Sequence, residues 1–278
     1  MKKKMTNNPL LYNWNTPFGV PPFPEIKPSH FKPAAEEAIK SATEEINAIA
    51  ENSEPPNFEN TVARLDRSAE VLGKISSILF NINSAETNKD IQEAARDVSP
   101  LMTRFSNDIT LNKRLFERIR KVYETRDTTG LTTEQKILTE RKYRSFILGG
   151  AGLKDEEKVR FREISEELST LSLRFEENVL EETNSYELHI TEKDDLAGLP
   201  ESLVEAASTE ATTRNKEGWV FTLHFPSYVP FMQYSEKREL RERMLKAYSS
   251  RAFRGNEFDN RENIIKIVNL RLEIAKML

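Results

Sequence analysis

A mainly α fold of long antiparallel helices, with one small two-stranded β element near residues 185–191 and 219–225, is what the sequence predicts. Three observations lead there. Charged residues make up 31% and apolar residues 37% of the 278 positions, a balance that suits solvent-facing helices with one apolar stripe each. Only nine glycines occur, about half the usual frequency and too few for a turn-rich β fold. Apolar residues recur at steps of three and four along most of the chain.

Residues 1–32 read as an extended arm. Pro9, Pro17, Pro21, Pro22, Pro24, Pro28 and Pro33 break helical patterning there, with Tyr12, Trp14, Phe18, Phe23 and Phe31 threaded between them. Disordered tails are poorer in aromatics, so the arm is expected to lie on the body and bury these rings. The helical region expected over 33–278 starts with a helix at 33–52, whose stripe is Ala38, Ala42, Ile46 and Ile49. After Pro55-Pro56, one long helix is expected from about Phe58 to Ile82, then one from Asp90 to Ile109 with a kink or break at Pro100. Asn112–Thr125 and a helix capped by Thr132 or Thr133 and ending at Leu148 follow. Lys154–Glu182 steps by three and four through Phe161, Ile164, Leu168, Leu171 and Phe175. Ser185–Thr191 alternates as a strand does, Glu201–Thr213 reads as a helix, and Trp219–Phe225 as the second strand. A Pro-bracketed turn at Pro226–Pro230 leads to helices over Glu236–Phe253 and Arg261–Leu278. The last pattern stops without a cap, which reads as truncation.

The net charge of −4 comes from interspersed charges of both signs. It offers no basic stripe for nucleic acid. The absence of cysteine removes disulfides, thiolate metal sites and cysteine nucleophiles. No stretch approaches the ~20 apolar residues of a membrane helix, and the basic start MKKKMTNNPLLYNW lacks the apolar run of a signal peptide. A soluble cytoplasmic protein with no membrane partner is expected, although a chain that had lost its leader would look the same.

Residue chemistry alone singles out no catalytic centre. His30, His189 and His224 lack the helical spacing of a His-Glu-x-x-His zinc site. The many Glu and Asp pairs lie on helix faces or at helix starts, where the dipole favours them. Gly149, Gly150 and Gly152 have the composition of a phosphate cradle but not the GKS/T ending of one, so a helix C-cap and tight turn is the plainer reading. Arg238, Arg241 and Arg243 suit a peptide carboxylate, with ion pairs to neighbouring Glu side chains as the alternative.

A colinear set of motifs gives more. They are PPFPEIKPSHFKPA (Pro21–Ala34), PPNFENTVARLDRSAEVL (Pro55–Leu72), FNINSAETNKDIQ (Phe80–Gln92), ITLNKRLFERI (Ile109–Ile119) and FILGGAGL (Phe146–Leu153). LRFEENVLEET, DLAGLPES, FTLHFPSYVPFMQY, LRERMLKAYSSR and DNRENIIKIVNLRLEIAKML complete it. The chain resembles, over nearly its whole length, the N-terminal, non-catalytic half of the thimet-oligopeptidase family of zinc metallopeptidases. The likeness is strongest to the bacterial peptidyl-dipeptidase (dipeptidyl carboxypeptidase) and oligopeptidase A branches. FNINSAETN and ITLNKRLF lean towards the former.

The resemblance implies a mostly helical, two-lobed enzyme with a deep channel that admits short peptides. Zinc would sit on a His-Glu-x-x-His helix with a downstream Glu, the motif Glu activating the metal-bound water. Neither feature occurs in this sequence, so no catalytic or metal residue carries over, no cofactor is expected in these 278 residues, and the chain alone is expected to be inactive. Its expected role is lobe scaffold and channel wall, with Tyr228 and Tyr234 as candidate channel-lining residues. Apolar helix faces deprived of their partners are expected to promote self-association. The alternative is a freestanding helical interaction module. The choice between dipeptide release and internal cleavage lies with residues the sequence does not contain.

Overall fold

The computed structural model describes residues 8–278; the first seven residues of the expected arm lie outside the described residues. From Asn8 the chain makes 3-10 turns at Pro9–Leu11, Pro17–Gly19 and Phe23–Glu25. Helix α1 (Pro28–Ala50) then begins earlier than the sequence suggested. Pro28 is its first residue, where a missing N–H removes no helical bond, and Pro33 is accommodated inside it. Of the arm's aromatics, Phe31 is fully buried but belongs to α1, while Phe18 is fully exposed.

A π-helical turn at Phe58–Ala63, α2 (Arg64–Arg67) and α3 (Glu70–Ala85) stand where one long helix was expected. The break falls at Ser68, whose Oγ donates to the Leu65 carbonyl at 2.8 Å, and at Ala69, which leaves the helical region of backbone space. Helix α4 (Lys89–Thr110) runs through Pro100 as one element. Next come α5 (Lys113–Thr125), capped by Asn112, and α6 (Thr133–Leu148), capped by a Thr132/Gln135 box. Helix α7 (Asp155–Ser185) is followed by β1 (Leu188–Ile190), α8 (Glu201–Thr213) and β2 (Trp219–Phe221). The strands pair antiparallel with His189 opposite Val220.

The β element is therefore present but shorter than expected. Ser227 Oγ accepts the Thr222 N–H at 2.9 Å, which takes that group out of the ladder. The Pro-bracketed segment is not a turn but helix α9 (Phe225–Tyr234). Pro226 occupies its first turn, and the missing N–H of Pro230 forfeits a single bond to the preceding turn. Helices α10 (Arg238–Ser249) and α11 (Arg261–Met277) complete the chain. Along one side α11 leaves Ile265, Val268 and Leu272 exposed.

Two compact units arise within the region read as one from 33 to 278. One extends to Leu171 and takes in Ile267–Leu278; the other is Ser172–Lys266. In the first, α1 packs on α3, α4 and α5. Small residues permit close approach: Ala34, Ala35, Ala38 and Ala42 of α1 and Ala94 and Ala95 of α4 are all buried. Between α5 and α6, Tyr143 stacks on Tyr123 (4.1 Å between centroids) and on Phe116 (5.8 Å). Phe161, Ile164 and Leu171 of α7 pack with Leu270, Ile274 and Met277 of α11. A two-pronged ion pair reinforces that seam, Arg160 Nε and Nη2 lying 2.7 and 3.0 Å from the Glu273 oxygens.

The second unit is built on Leu188, Ile190, Leu203, Phe221, Leu223, Phe231 and Met244. Each such side chain contributes about 1.5–3 kcal/mol by burial. Phe221 meets Phe231 edge-on at 4.8 Å. A buried amide lock holds the approach to α11. Asn260 Oδ1 accepts from Asn178 Nδ2 (2.8 Å) and Asn263 Nδ2 (2.9 Å), and its Nδ2 donates to the Phe175 carbonyl (3.0 Å).

Among the described residues Arg118 is the only basic side chain in the buried class. It meets neutral oxygens only. Nη1 donates to the carbonyls of Asn52 (2.7 Å) and Glu54 (3.0 Å), and Nη2 to Asn60 Oδ1 (3.1 Å) and Thr61 Oγ1 (3.3 Å). Burial lowers its affinity for the proton, with Glu54 opposing the shift. Removing the guanidinium strands four acceptors. We expect Arg118→Met to lower the unfolding free energy by roughly 2–4 kcal/mol, read from urea denaturation. Arg118→Lys should recover only part, because an ammonium lacks the planar fork. A loss below about 0.5 kcal/mol in Arg118→Met would contradict the role given to this side chain.

Candidate functional site

Helix α9 carries both tyrosines singled out by the sequence. Six residues apart on a helix of 3.6 residues per turn, they point in directions about 120° apart, so they do not share a face. Tyr234 is 53% exposed at the helix end. The backbone beside it is tightly held: the Glu236 N–H donates to the Ala197 carbonyl at 2.9 Å. Gly198 packs so close that an added Cβ would lie 2.3 Å from the Tyr234 carbonyl oxygen. With φ at +85°, only glycine fits here without strain. This accounts for the glycine of DLAGLPES.

Tyr228 lies at the centre of an aromatic and cationic cluster. Its ring stacks on Tyr248 of α10, with centroids 4.2 Å apart and planes 11° apart. The Arg251 guanidinium sits 3.8 Å from the Tyr248 centroid. Arg251 is held by the Tyr248 carbonyl and by Thr183 Oγ1, each at 3.0 Å. Beside it, Arg254 Nε lies 3.2 Å from Oε2 of the buried Glu182, with its hydrogen directed to Ser250 Oγ. Asn256 Nδ2 donates to the other Glu182 oxygen. Arg254 also lies 5.9 Å from the Tyr186 ring centroid.

Burial raises the pKa of the Tyr228 hydroxyl; Tyr248 adds to the shift and Arg251 opposes it. Burial likewise raises Tyr186 against the influence of Arg243 and Arg254. Tyrosines of this kind stack against a ligand and donate hydrogen bonds as neutral phenols. The cluster contains no hydroxyl or thiol paired with a base as an activated nucleophile.

The other candidates are dispersed. His189 Nε2 lies 2.7 Å from the Glu217 carbonyl oxygen, His224 precedes α9, and His30 Nδ1 accepts the Lys27 N–H. Among the described residues no three His, Cys, Asp or Glu side chains gather as a metal site, and these three histidines do not suit zinc. Arg241 donates to the Ser235 carbonyl. Among the described residues none of Arg238, Arg241 and Arg243 comes within 4 Å of a Glu oxygen, while Glu242, one turn after Arg238, is held below the ordinary carboxylate range by Lys246 first and by Arg238 in addition. Gly149, Gly150 and Gly152 do form a helix end: the Gly149 and Ala151 N–H groups return to the carbonyls of Ser145 and Phe146. Sequence reasoning missed Tyr248, Arg251 and Glu182. The Tyr248/Arg251 spacing of three was a legible signal for the first two, whereas Glu182 resembles every other helix-face carboxylate in the chain.

Residues 35–158 match the family model described as Neurolysin/Thimet oligopeptidase, N-terminal domain. Oligopeptidase A of Escherichia coli is 34% identical over 275 residues, covering 98% of this chain and 40% of that protein. Dipeptidyl carboxypeptidase of Salmonella typhimurium is 32% identical over 275 residues, covering 99% and 40%. Probable cytosolic oligopeptidase A of Arabidopsis thaliana is 30% identical over 281 residues, covering 99% and 39%. The chain thus spans about 40% of the length of these relatives. The resemblance carried by the motifs is borne out. Identities of 34% and 32% do not separate the two bacterial branches. Among the described residues no helix is long and apolar enough to cross a membrane.

The Tyr228 environment has a measurable consequence. A raised folded-state pKa contributes stability that is complete below the unfolded value of about 10 and is lost as pH rises through the folded value. Tyr228→Phe should therefore reduce the tyrosinate absorbance appearing above about pH 10 and flatten the alkaline loss of stability. An unchanged alkaline titration would contradict the burial assigned to this ring.

Proposed function

We infer that this chain is the non-catalytic N-terminal region of a peptidase of the thimet-oligopeptidase family, acting on short peptides and contributing lobe scaffold and channel wall. The observation that carries this reading is the relationship over 98% of the chain to 40% of oligopeptidase A, joined to the absence of a His-Glu-x-x-His motif from the 278 residues. Zinc, bound by sequence outside these residues, would polarise the scissile carbonyl and supply a hydroxide nucleophile. This chain's own residues would shape the route to it.

Tyr228 and Tyr234 belong to that wall in this reading. The exposed Tyr234 ring offers a contact surface, and the Tyr228–Tyr248–Arg251 stack offers a rigid aromatic step. A carboxylate of the substrate would find Arg251 and Arg254 in place, each already oriented by backbone carbonyls. The chain binds and positions; it does not cleave.

The test compares this chain with a longer polypeptide that includes the zinc motif, each assayed on a short quenched peptide with and without added zinc. The chain alone should leave the peptide intact under both conditions, and the longer polypeptide should cleave it only when zinc is bound. Cleavage by the chain alone, or an inactive longer polypeptide that binds no zinc, would overturn the reading.

A further inference from the structure

A groove of about 670 Å³ opens between α4, α6 and α7 within the first unit. Its lining carries two guanidinium groups and no carboxylate. Arg141 and Arg144 come from α6, three residues apart and so on one side of the helix, with Ser145 beside them. Ser106 and Asn107 come from α4, and Phe161 from α7. Neither arginine has an ion-pair or hydrogen-bond partner among the described residues. The nearest acidic side chains in sequence on the facing helices are already taken: Asp108 by Arg162 at 2.5 Å and Glu166 by Arg104 at 3.0 Å.

A second observation is independent of that charge. Asn107 is 5% exposed, and its Nδ2 has no hydrogen-bond partner. Buried amide donors are almost always satisfied, so an unpaired one on the floor of a positively charged groove lacks an acceptor. The end of the groove is shaped by glycine. An added Cβ at Gly149 would lie 2.8 Å from Thr110 Cβ, so only glycine lets the end of α6 come this close to α4. Gly149 thus shapes the groove by permitting close packing, while the N–H groups of Gly149 and Gly150 return to the carbonyls of Ser145 and Ile147.

We propose that this groove binds a small oxyanion, a phosphate or carboxylate group. Its oxygens are forked by Arg141 and Arg144 and accept from Asn107 Nδ2 and from the hydroxyls of Ser106 and Ser145. Planar guanidinium forks match both anions. The site shares no residue with the tyrosine cluster and does not rest on the peptidase reading.

The test follows the Asn107 side-chain amide by NMR in the 278-residue chain. It is titrated with inorganic phosphate, with trialanine, with trialanine amide, and with chloride at matched ionic strength. Saturable shifts with phosphate assign a phosphate site. Saturable shifts with trialanine but not its amide assign a carboxylate site. Arg141→Gln with Arg144→Gln, both at exposed positions, should leave the melting temperature unchanged and weaken binding ~10-fold or more. The proposal fails if neither phosphate nor trialanine shifts the amide beyond chloride, or if the double variant binds as the parent does.

Discussion

The first unit depends on a buried cation held without a salt bridge. Arg118 enters from α5 and gathers the end of α1, the Pro55-Pro56 loop and the π-helical turn onto one guanidinium. Desolvating an arginine is costly, and here the cost is offset by four neutral acceptors rather than one carboxylate. A carboxylate needs a single well-placed oxygen pair, whereas carbonyls at 52 and 54 and side chains at 60 and 61 must all be in position together. The interaction therefore specifies the loop as well as stabilising it. Asn60 closes the arrangement, its Oδ1 accepting from the Asn57 N–H and its Nδ2 donating to the Pro55 carbonyl.

The second unit solves the same problem with amides. Asn260 satisfies two asparagines and a helix carbonyl, and a buried glutamate is met by Asn256 and Arg254. In both units the apolar stripes supply most of the stabilisation, while buried polar side chains set the positions at which the chain turns. This division suits a scaffold: many of the motifs that carry the family resemblance are packing and turning devices. Gly198 of DLAGLPES, Asn260 of DNRENII and Arg118 of LNKRLFERI each have a structural task that needs no catalysis.

Helix existence was legible because it rests on local rules. The helix read over Asn112–Thr125, the cap at Thr132 or Thr133 and the three-four spacing of α7 predicted those elements closely. The failures trace to tertiary or backbone effects. Pro226 and Pro230 read as a turn, yet a proline in the first helical turn removes no bond and a second costs only one. The π-helical turn has no period distinct from a helix. Arg118 looks like any other charge of an amphipathic helix until the loop it holds is seen, and Asn107 gives no sign in sequence that its amide lacks a partner. Of the candidate site, Tyr228 and Tyr234 were found through the likeness of FTLHFPSYVPFMQY to a known family, but the Tyr248 and Arg251 stack that surrounds one of them depends on how α9 and α10 pack.

On the proposed reading these residues are scaffold and wall for chemistry encoded elsewhere in one polypeptide. The most direct measurement is the coding sequence downstream of codon 278 in the native gene. An open frame that continues into a helix bearing His-Glu-x-x-His, with a glutamate further on, is the expected result. A stop codon shortly after Leu278 would contradict it and would make this chain a freestanding helical protein.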